Sequence, residues 1–176
     1  PLAVIDETST RFGMPMGPVE LADVVGLDVA AHVGRIIAEE LGRAPPDVSR
    51  LDALVAAGKL GRKSGEGFYV WKDGKPAKPA AAGAKAPEDL ADRMILALVN
   101  ECVACLRERV VDEADLIDAA VIFGTGFAPF RGGPLHYARS RGVKAVVARL
   151  EELAARHGPR FRPDEGWSLL MSDAKA

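Results

Sequence analysis

A two-turn helix that opens on Gly-Pro after a glycine-rich loop occurs twice in this chain, and that repetition limits what it can fold into. The first copy is Phe12-Gly13-Met14-Pro15-Met16-Gly17-Pro18-Val19-Glu20-Leu21-Ala22-Asp23-Val24-Val25-Gly26-Leu27-Asp28. Gly13 and Gly17 permit a tight backbone that other groups can approach closely. Pro18 suits the first helical position, where its missing N–H costs nothing. Glu20 then falls in the first turn, where a negative charge is favoured. Gly26 reads as the stop, and Asp28 as the cap of the next helix. A rigid, Met-bearing loop beside a helix start suits either a ligand contact or a structural helix–helix corner.

The second copy is Phe123-Gly124-Thr125-Gly126-Phe127-Ala128-Pro129-Phe130-Arg131-Gly132-Gly133-Pro134-Leu135-His136-Tyr137-Ala138-Arg139, with a longer loop. Matching residues 3–41 with residues 114–156 pairs Phe12-Gly13 with Phe123-Gly124 and Pro18 with Pro134. Two copies imply an internal duplication, not a solenoid, which needs three or more.

Helical periodicity runs through most of the remainder. Residues 28–41 carry Val29, Val33, Ile36, Ile37 and Leu41 on one face, with Gly42 as the stop. Pro45-Pro46 breaks the chain before a short helix over residues 48–57. The stretch from Gly58 to Trp71 lacks the Walker spacing and reads as a glycine-rich turn with solvated Lys59, Arg62 and Lys63. Gly67-Phe68-Tyr69-Val70-Trp71 then reads as an extended segment docking its aromatics on the helices. Residues 75–87, rich in Pro, Ala and Lys, read as a linker. The division is therefore residues 1–74, linker 75–87 and residues 88–176.

In the second part, residues 88–109 form the longest helix, with Leu90, Met94, Leu98, Cys102, Cys105 and Leu106 inward. Asn100 and Glu101 interrupt its apolar run, either as a buried polar pair or as the solvent face. Residues 115–122, 134–141 and 143–156 are the further helices, the last burying Val146, Val147, Leu150 and Leu153. From Pro159 the chain reads as irregular, with Trp167, Leu169 and Leu170 tucked against a helix.

Several chemistries are absent from the pattern. A net charge of −2 with intermixed signs argues against a nucleic-acid binder. No apolar run reaches membrane-spanning length and no signal-peptide pattern opens the chain, so the expected location is cytoplasmic. Cys102 and Cys105 share one helical face without a second ligand pair, which favours packing over zinc or redox chemistry. None of the three histidines has a carboxylate at a spacing that suggests an orienting pair. Gly124-Thr125-Gly126 is not followed by a helix start, so it is no dinucleotide fingerprint. No catalytic residue, cofactor site or metal site is therefore assigned. The opening at Pro1, inside a helical pattern, reads as a fragment of a longer protein.

The motifs FGMPMGPVELADVVGLD, LGRKSGEGFY and FGTGFAPFRGGP, in that order, resemble the C-terminal region of 3-hydroxyacyl-CoA dehydrogenases, with the nearest likeness to the multifunctional β-oxidation enzymes. The resemblance implies an all-α fold of two tandem copies of a helical domain like the C-terminal domain of 6-phosphogluconate dehydrogenase, the first lacking its N-terminal helix. It implies an NAD-binding Rossmann domain elsewhere in the parent, carrying the catalytic His and Glu, with no cofactor held by this part. It implies an acyl-CoA substrate whose acyl chain meets Pro15, Met16, Gly17, Pro18 and Leu21, and it implies a homo-oligomer. The second loop departs from the first and is expected to serve packing. A non-catalytic helical assembly module is the alternative. The missing first helix is expected to leave an apolar groove, filled by self-association or by the tail around residues 167–171.

Overall fold

Pro18 and Pro134 each stand at the first residue of a helix, as their preset φ requires. The computed structural model describes residues 1–43, 47–79 and 83–172, so Pro45-Pro46 and the middle of the 75–87 stretch lie outside the described residues. The chain divides into two units. Unit 1 holds Pro1–Thr10 and Met16–Ala86, and unit 2 holds Arg11–Pro15 and Pro87–Ala176.

Unit 1 contains α1 (Leu2–Phe12, whose last two residues belong to unit 2), α2 (Pro18–Val25), α3 (Leu27–Glu40) and α4 (Ser49–Ala56). A 3-10 turn follows at Arg62–Ser64, then an antiparallel hairpin of β1 (Val70–Lys72) and β2 (Lys75–Ala77). The hairpin modifies the all-α expectation and takes the first residues of the expected linker into unit 1. Its cause is Asp73-Gly74, at φ 51° and 74°, the left-handed pair that a two-residue hairpin turn requires. Trp71 pairs with Pro76 and points inward, while Val70 and Lys72 face out.

Two expectations for α2 and α3 change. Gly26, at φ 105°, both ends α2 and caps α3, so Asp28 lies in the first turn of α3 and pairs with Lys63 at 2.6 Å instead of capping. The inward face of α3 is Leu27, Ala31 and Ala38. Val29, Val33, Ile36, Ile37 and Leu41, expected inward, are 42–50% exposed. The helix is apolar on two faces, and the face of smaller residues is the one that packs. Periodicity alone cannot choose between them.

Unit 2 is built around α5 (Leu90–Arg107), which packs against α6 (Ala114–Thr125), α7 (Pro134–Arg141), α8 (Val143–His157) and a 3-10 turn at Pro159–Phe161. A 3-10 turn at Pro129–Arg131 precedes α7, and α9 (Trp167–Ser172) closes the unit. Leu96, Val99, Val103, Phe127, Leu135, Val146, Leu150, Leu153, Trp167 and Leu170 form its core. Each such side chain contributes about 1.5–3 kcal/mol of burial.

The buried stripe of α5 is wider than the expected one. Leu90 and Cys102 are buried as expected, and Leu98, Cys105 and Leu106 pack partly buried against the core. Ile95, Leu96, Val99 and Val103 are buried as well, because neighbours cover the helix on more than one side. The helix α6 runs on through Phe123-Gly124 to Thr125, and Gly126 at φ 73° stops it. Phe123 consequently faces solvent at 89% exposure, whereas Phe12 ends α1 and is buried. The pairing of Phe12-Gly13 with Phe123-Gly124 does not match the helix ends, which instead align Gly13 with Gly126. The tail is not irregular. Trp167 and Leu170 belong to the core of unit 2, while Leu169 is 44% exposed.

Candidate functional site

The loop before α2 is held by a buried carboxylate. Asp6 on α1 accepts hydrogen bonds from Val19 N at 2.8 Å and Glu20 N at 3.1 Å, satisfying free N–H groups of the helix start. A Cβ on Gly17 would stand 2.3 Å from Asp6 Cα, so only glycine lets the two segments meet. Tyr69 donates its hydroxyl to Asp6 at 2.9 Å, and Lys78 lies 3.3 Å from Asp6 and 2.6 Å from Glu20. Burial, then the bond to Asp6, raises the Tyr69 pKa. Burial opposes the charge on Lys78, but Glu20 and Asp6 outweigh it and raise its pKa.

A second buried carboxylate, Asp23 on α2, accepts from Phe68 N, Tyr69 N and Trp71 Nε1 at 2.8, 2.9 and 3.0 Å. It anchors the GEGFYVW stretch, and Tyr69 and Trp71 dock inward as expected. The cations expected to be solvated are open to solvent and also have partners. Lys59 meets Glu66 at 2.6 Å, Lys63 meets Asp28, and the Arg62 guanidinium lies 6.0 Å from the Trp71 ring centre.

Of the residues expected at the acyl chain, Pro15, Pro18 and Leu21 are exposed and Met16 is half-buried. Gly17 is buried against Asp6 and presents no surface outward. Pro15 falls in unit 2, and Met16, Pro18 and Leu21 fall in unit 1. What unit 1 offers here is a short apolar edge of Met16, Pro18 and Leu21 on a braced helix start, with Glu20 beside it paired to Lys78.

Unit 2 repeats the carboxylate device. Asp118 on α6 accepts from Leu135 N at 2.7 Å and His136 N at 2.9 Å, and a Cβ on Gly133 would lie 2.4 Å from Asp118 Cβ. Burial raises the Asp118 pKa against the two N–H donors that lower it.

Sequence spacing also missed a histidine–carboxylate pair. His157 Nε2 lies 2.7 Å from Asp89 Oδ2, with Arg156 3.9 Å from the same oxygen. This hydrogen bond from His157 holds the Asp89 pKa low. The pair joins the end of α8 to the start of α5, where the Asp89 carboxylate complements the helix N-terminus. It is a clasp between helix ends. Burial pushes the Cys102 thiol up to about 12, so it is no thiolate. Among the described residues no cluster of His, Cys, Asp or Glu could hold a metal ion, and no helix is long and apolar enough to cross a membrane. A cleft of about 600 Å³ in unit 2, between Leu106, Glu113 and Leu169, presents charged rim residues and no catalytic grouping.

Asn100 resolves into a tie for the tail. Its Oδ1 accepts from Asp164 N at 2.9 Å and Trp167 Nε1 at 2.8 Å, and its Nδ2 donates to Arg162 O at 3.0 Å. An Asp or Asn inside an apolar helical run was the available signal for this residue, as for Asp6 and Asp118.

The solved structures agree with the fold. A 3-hydroxybutyryl-CoA dehydrogenase from Escherichia coli matches with a TM-score of 0.72 at 21% identity, over 99% of this chain and 54% of that one. The dehydrogenase part of multifunctional enzyme 1 from C. elegans matches at 0.64 and 24%, over 94% and 41%. Among curated relatives, the fatty acid oxidation complex subunit alpha of Idiomarina loihiensis is 33% identical over 97% of this chain and 27% of its own length. That of Vibrio parahaemolyticus is 36% identical over 94% and 25%. The chain thus spans about a quarter of the length of these relatives. Residues 2–71 match the family described as 3-hydroxyacyl-CoA dehydrogenase, C-terminal domain. By that match over its first part, and by its likeness to the alpha subunits along nearly its whole length, the chain is similar to the C-terminal domain of 3-hydroxyacyl-CoA dehydrogenases.

Proposed function

We propose that this chain forms the far wall of the substrate cleft in an NAD-dependent 3-hydroxyacyl-CoA dehydrogenase of fatty-acid β-oxidation. The longer enzyme oxidises 3-hydroxyacyl-CoA to 3-oxoacyl-CoA, with NAD, the catalytic His and its Glu on a Rossmann domain outside this chain. The observation that carries the reading is the exposed apolar edge of Pro18 and Leu21 beside half-buried Met16, on a helix start braced by Asp6. An apolar wall supplies positioning, worth several kcal/mol of a barrier only when base and hydride acceptor are present. The 176-residue chain is therefore expected to show no NAD turnover with acetoacetyl-CoA.

The same carboxylate-to-helix brace in both units, Asp6 to Val19 and Asp118 to Leu135, supports a duplicated helical unit. The exposed apolar stripe of α3 favours a second reading, in which the chain serves as an oligomer interface. Met16→Asp in the longer enzyme separates the readings. The cleft-wall reading expects a raised KM for acyl-CoA with NAD affinity unchanged, and an unchanged KM would leave only the interface.

A further inference from the structure

This inference rests on the cleft-wall reading. We infer that Arg131, in the second glycine-rich loop, is a positioning residue for the turn that carries Pro15, one of the residues expected at the acyl chain. All the groups involved lie in unit 2, which takes in Arg11–Pro15. Arg131 Nε donates to the carbonyl of Phe12 at 2.9 Å. That carbonyl belongs to the last residue of α1, where helix carbonyls lack intrahelical partners and a cation is favoured. The guanidinium also lies 4.1 Å from the centre of the Phe12 ring, with Phe130 and Tyr137 at 5.3 and 5.5 Å. Phe12 is itself wedged edge-on between Phe127 and Tyr137, at 5.6 and 5.3 Å.

The turn that follows has no spare volume on this side. A Cβ on Gly13 would stand 2.6 Å from Phe130 Cζ and 2.8 Å from Ala128 Cβ. A Cβ on Gly126 would stand 2.7 Å from Pro15 Cγ. Apolar contacts of this kind exclude overlap but do not select one orientation of a peptide plane. The Arg131 hydrogen bond does, since it requires the Phe12 carbonyl to point at the guanidinium. The second loop therefore sets where Pro15 stands. Its function goes beyond packing, although it touches no substrate itself.

Two measurements test this. In the 176-residue chain, Arg131→Met keeps apolar bulk and removes the donor. Amide exchange at residues 13–17 is expected to rise about tenfold, with α5 and α8 protected as before. In the longer enzyme, the same substitution is expected to raise the acyl-CoA KM about fivefold at constant kcat and constant KM for NAD. Arg131→Lys, which retains a donor, is expected to recover most of both effects. Unchanged exchange at residues 13–17, or a fall in kcat without a change in KM, would overturn the inference. If Met16→Asp raises KM and Arg131→Met does not, the positioning role alone fails. If Met16→Asp has no effect, the cleft-wall reading fails and the exchange result still decides whether Arg131 orders the turn.

Discussion

Unit 1 and unit 2 brace a Gly-Pro helix start in the same way, yet they differ in what lies behind it. In unit 2 the long helix α5 is central, and α8 buries Val143, Val146, Leu150 and Leu153. In unit 1, among the described residues, no helix of that length is present, and α3 keeps Val29, Val33, Ile36, Ile37 and Leu41 42–50% exposed. Unit 1 relies more on buried carboxylates. Asp6 and Asp23 together hold a helix start, a loop and two aromatic side chains. The comparison teaches that the brace is a local device, whereas burial of the following helix needs a partner element.

The hardest test of that comparison is to fill the space under each brace. Gly17→Ala and Gly133→Ala are each expected to lose about 3–5 kcal/mol, read from chemical denaturation. The first pushes a Cβ against the Asp6 backbone. The second meets the Asp118 side chain and also the strain of φ 105°. A loss under about 1 kcal/mol at either site would show that the brace yields.

Removing the carboxylates comes next. Asp118→Ala leaves one buried and one part-buried N–H unpaired, an expected loss of about 2–4 kcal/mol. Asp6→Ala should cost more, because Tyr69 and Lys78 lose a partner as well. Equal losses would mean that the Tyr69 and Lys78 contacts add nothing to the brace of unit 1.

The acid dependence of unit 2 should carry two opposite signs. Burial alone would raise Asp92, but Arg141 and Arg149 outweigh it and hold its pKa below the ordinary 3.8. Its stabilisation is present above that value and is lost as pH falls through the lowered one. Asp118, raised above 3.8, contributes most below that value and less as pH climbs through its raised pKa. Asp92→Asn is therefore expected to flatten the acid limb of a stability–pH curve, at a cost of about 2 kcal/mol near neutrality. A limb as steep as before would assign acid unfolding to other groups.

The tie at Asn100 offers a smaller effect. Asn100→Ala should cost about 1–2 kcal/mol and raise amide exchange in α9, while the hairpin of unit 1 exchanges as before. The least effect on stability belongs to the open face. Ile36→Glu is expected to change unfolding free energy by under about 0.5 kcal/mol. It should nonetheless weaken self-association in sedimentation equilibrium, because a large apolar patch favours contact between copies. A chain that is monomeric at high concentration before the substitution would remove the open face as an interface.

Residue type and short spacing dictated the elements whose causes are local: both Gly-Pro helix starts, the inward Tyr69 and Trp71, and the run of α8 with its buried stripe. The Asp73-Gly74 turn was equally local and still escaped the reading of residues 75–87 as a linker, since the Pro and Ala content masked a two-residue hairpin signal. The expected contacts at Pro15, Met16, Gly17, Pro18 and Leu21 rest on motif likeness alone. Asp6, Asp23 and Asp118 were visible only as acids in apolar helices. Which face of α3 packs, how wide the buried stripe of α5 is and what His157 meets were decided by tertiary structure. Each depends on groups far apart in the chain, such as Asp89 and His157, 68 residues apart. A helix's own periodicity fixes which residues share a face, but only the neighbour that arrives decides which face is buried.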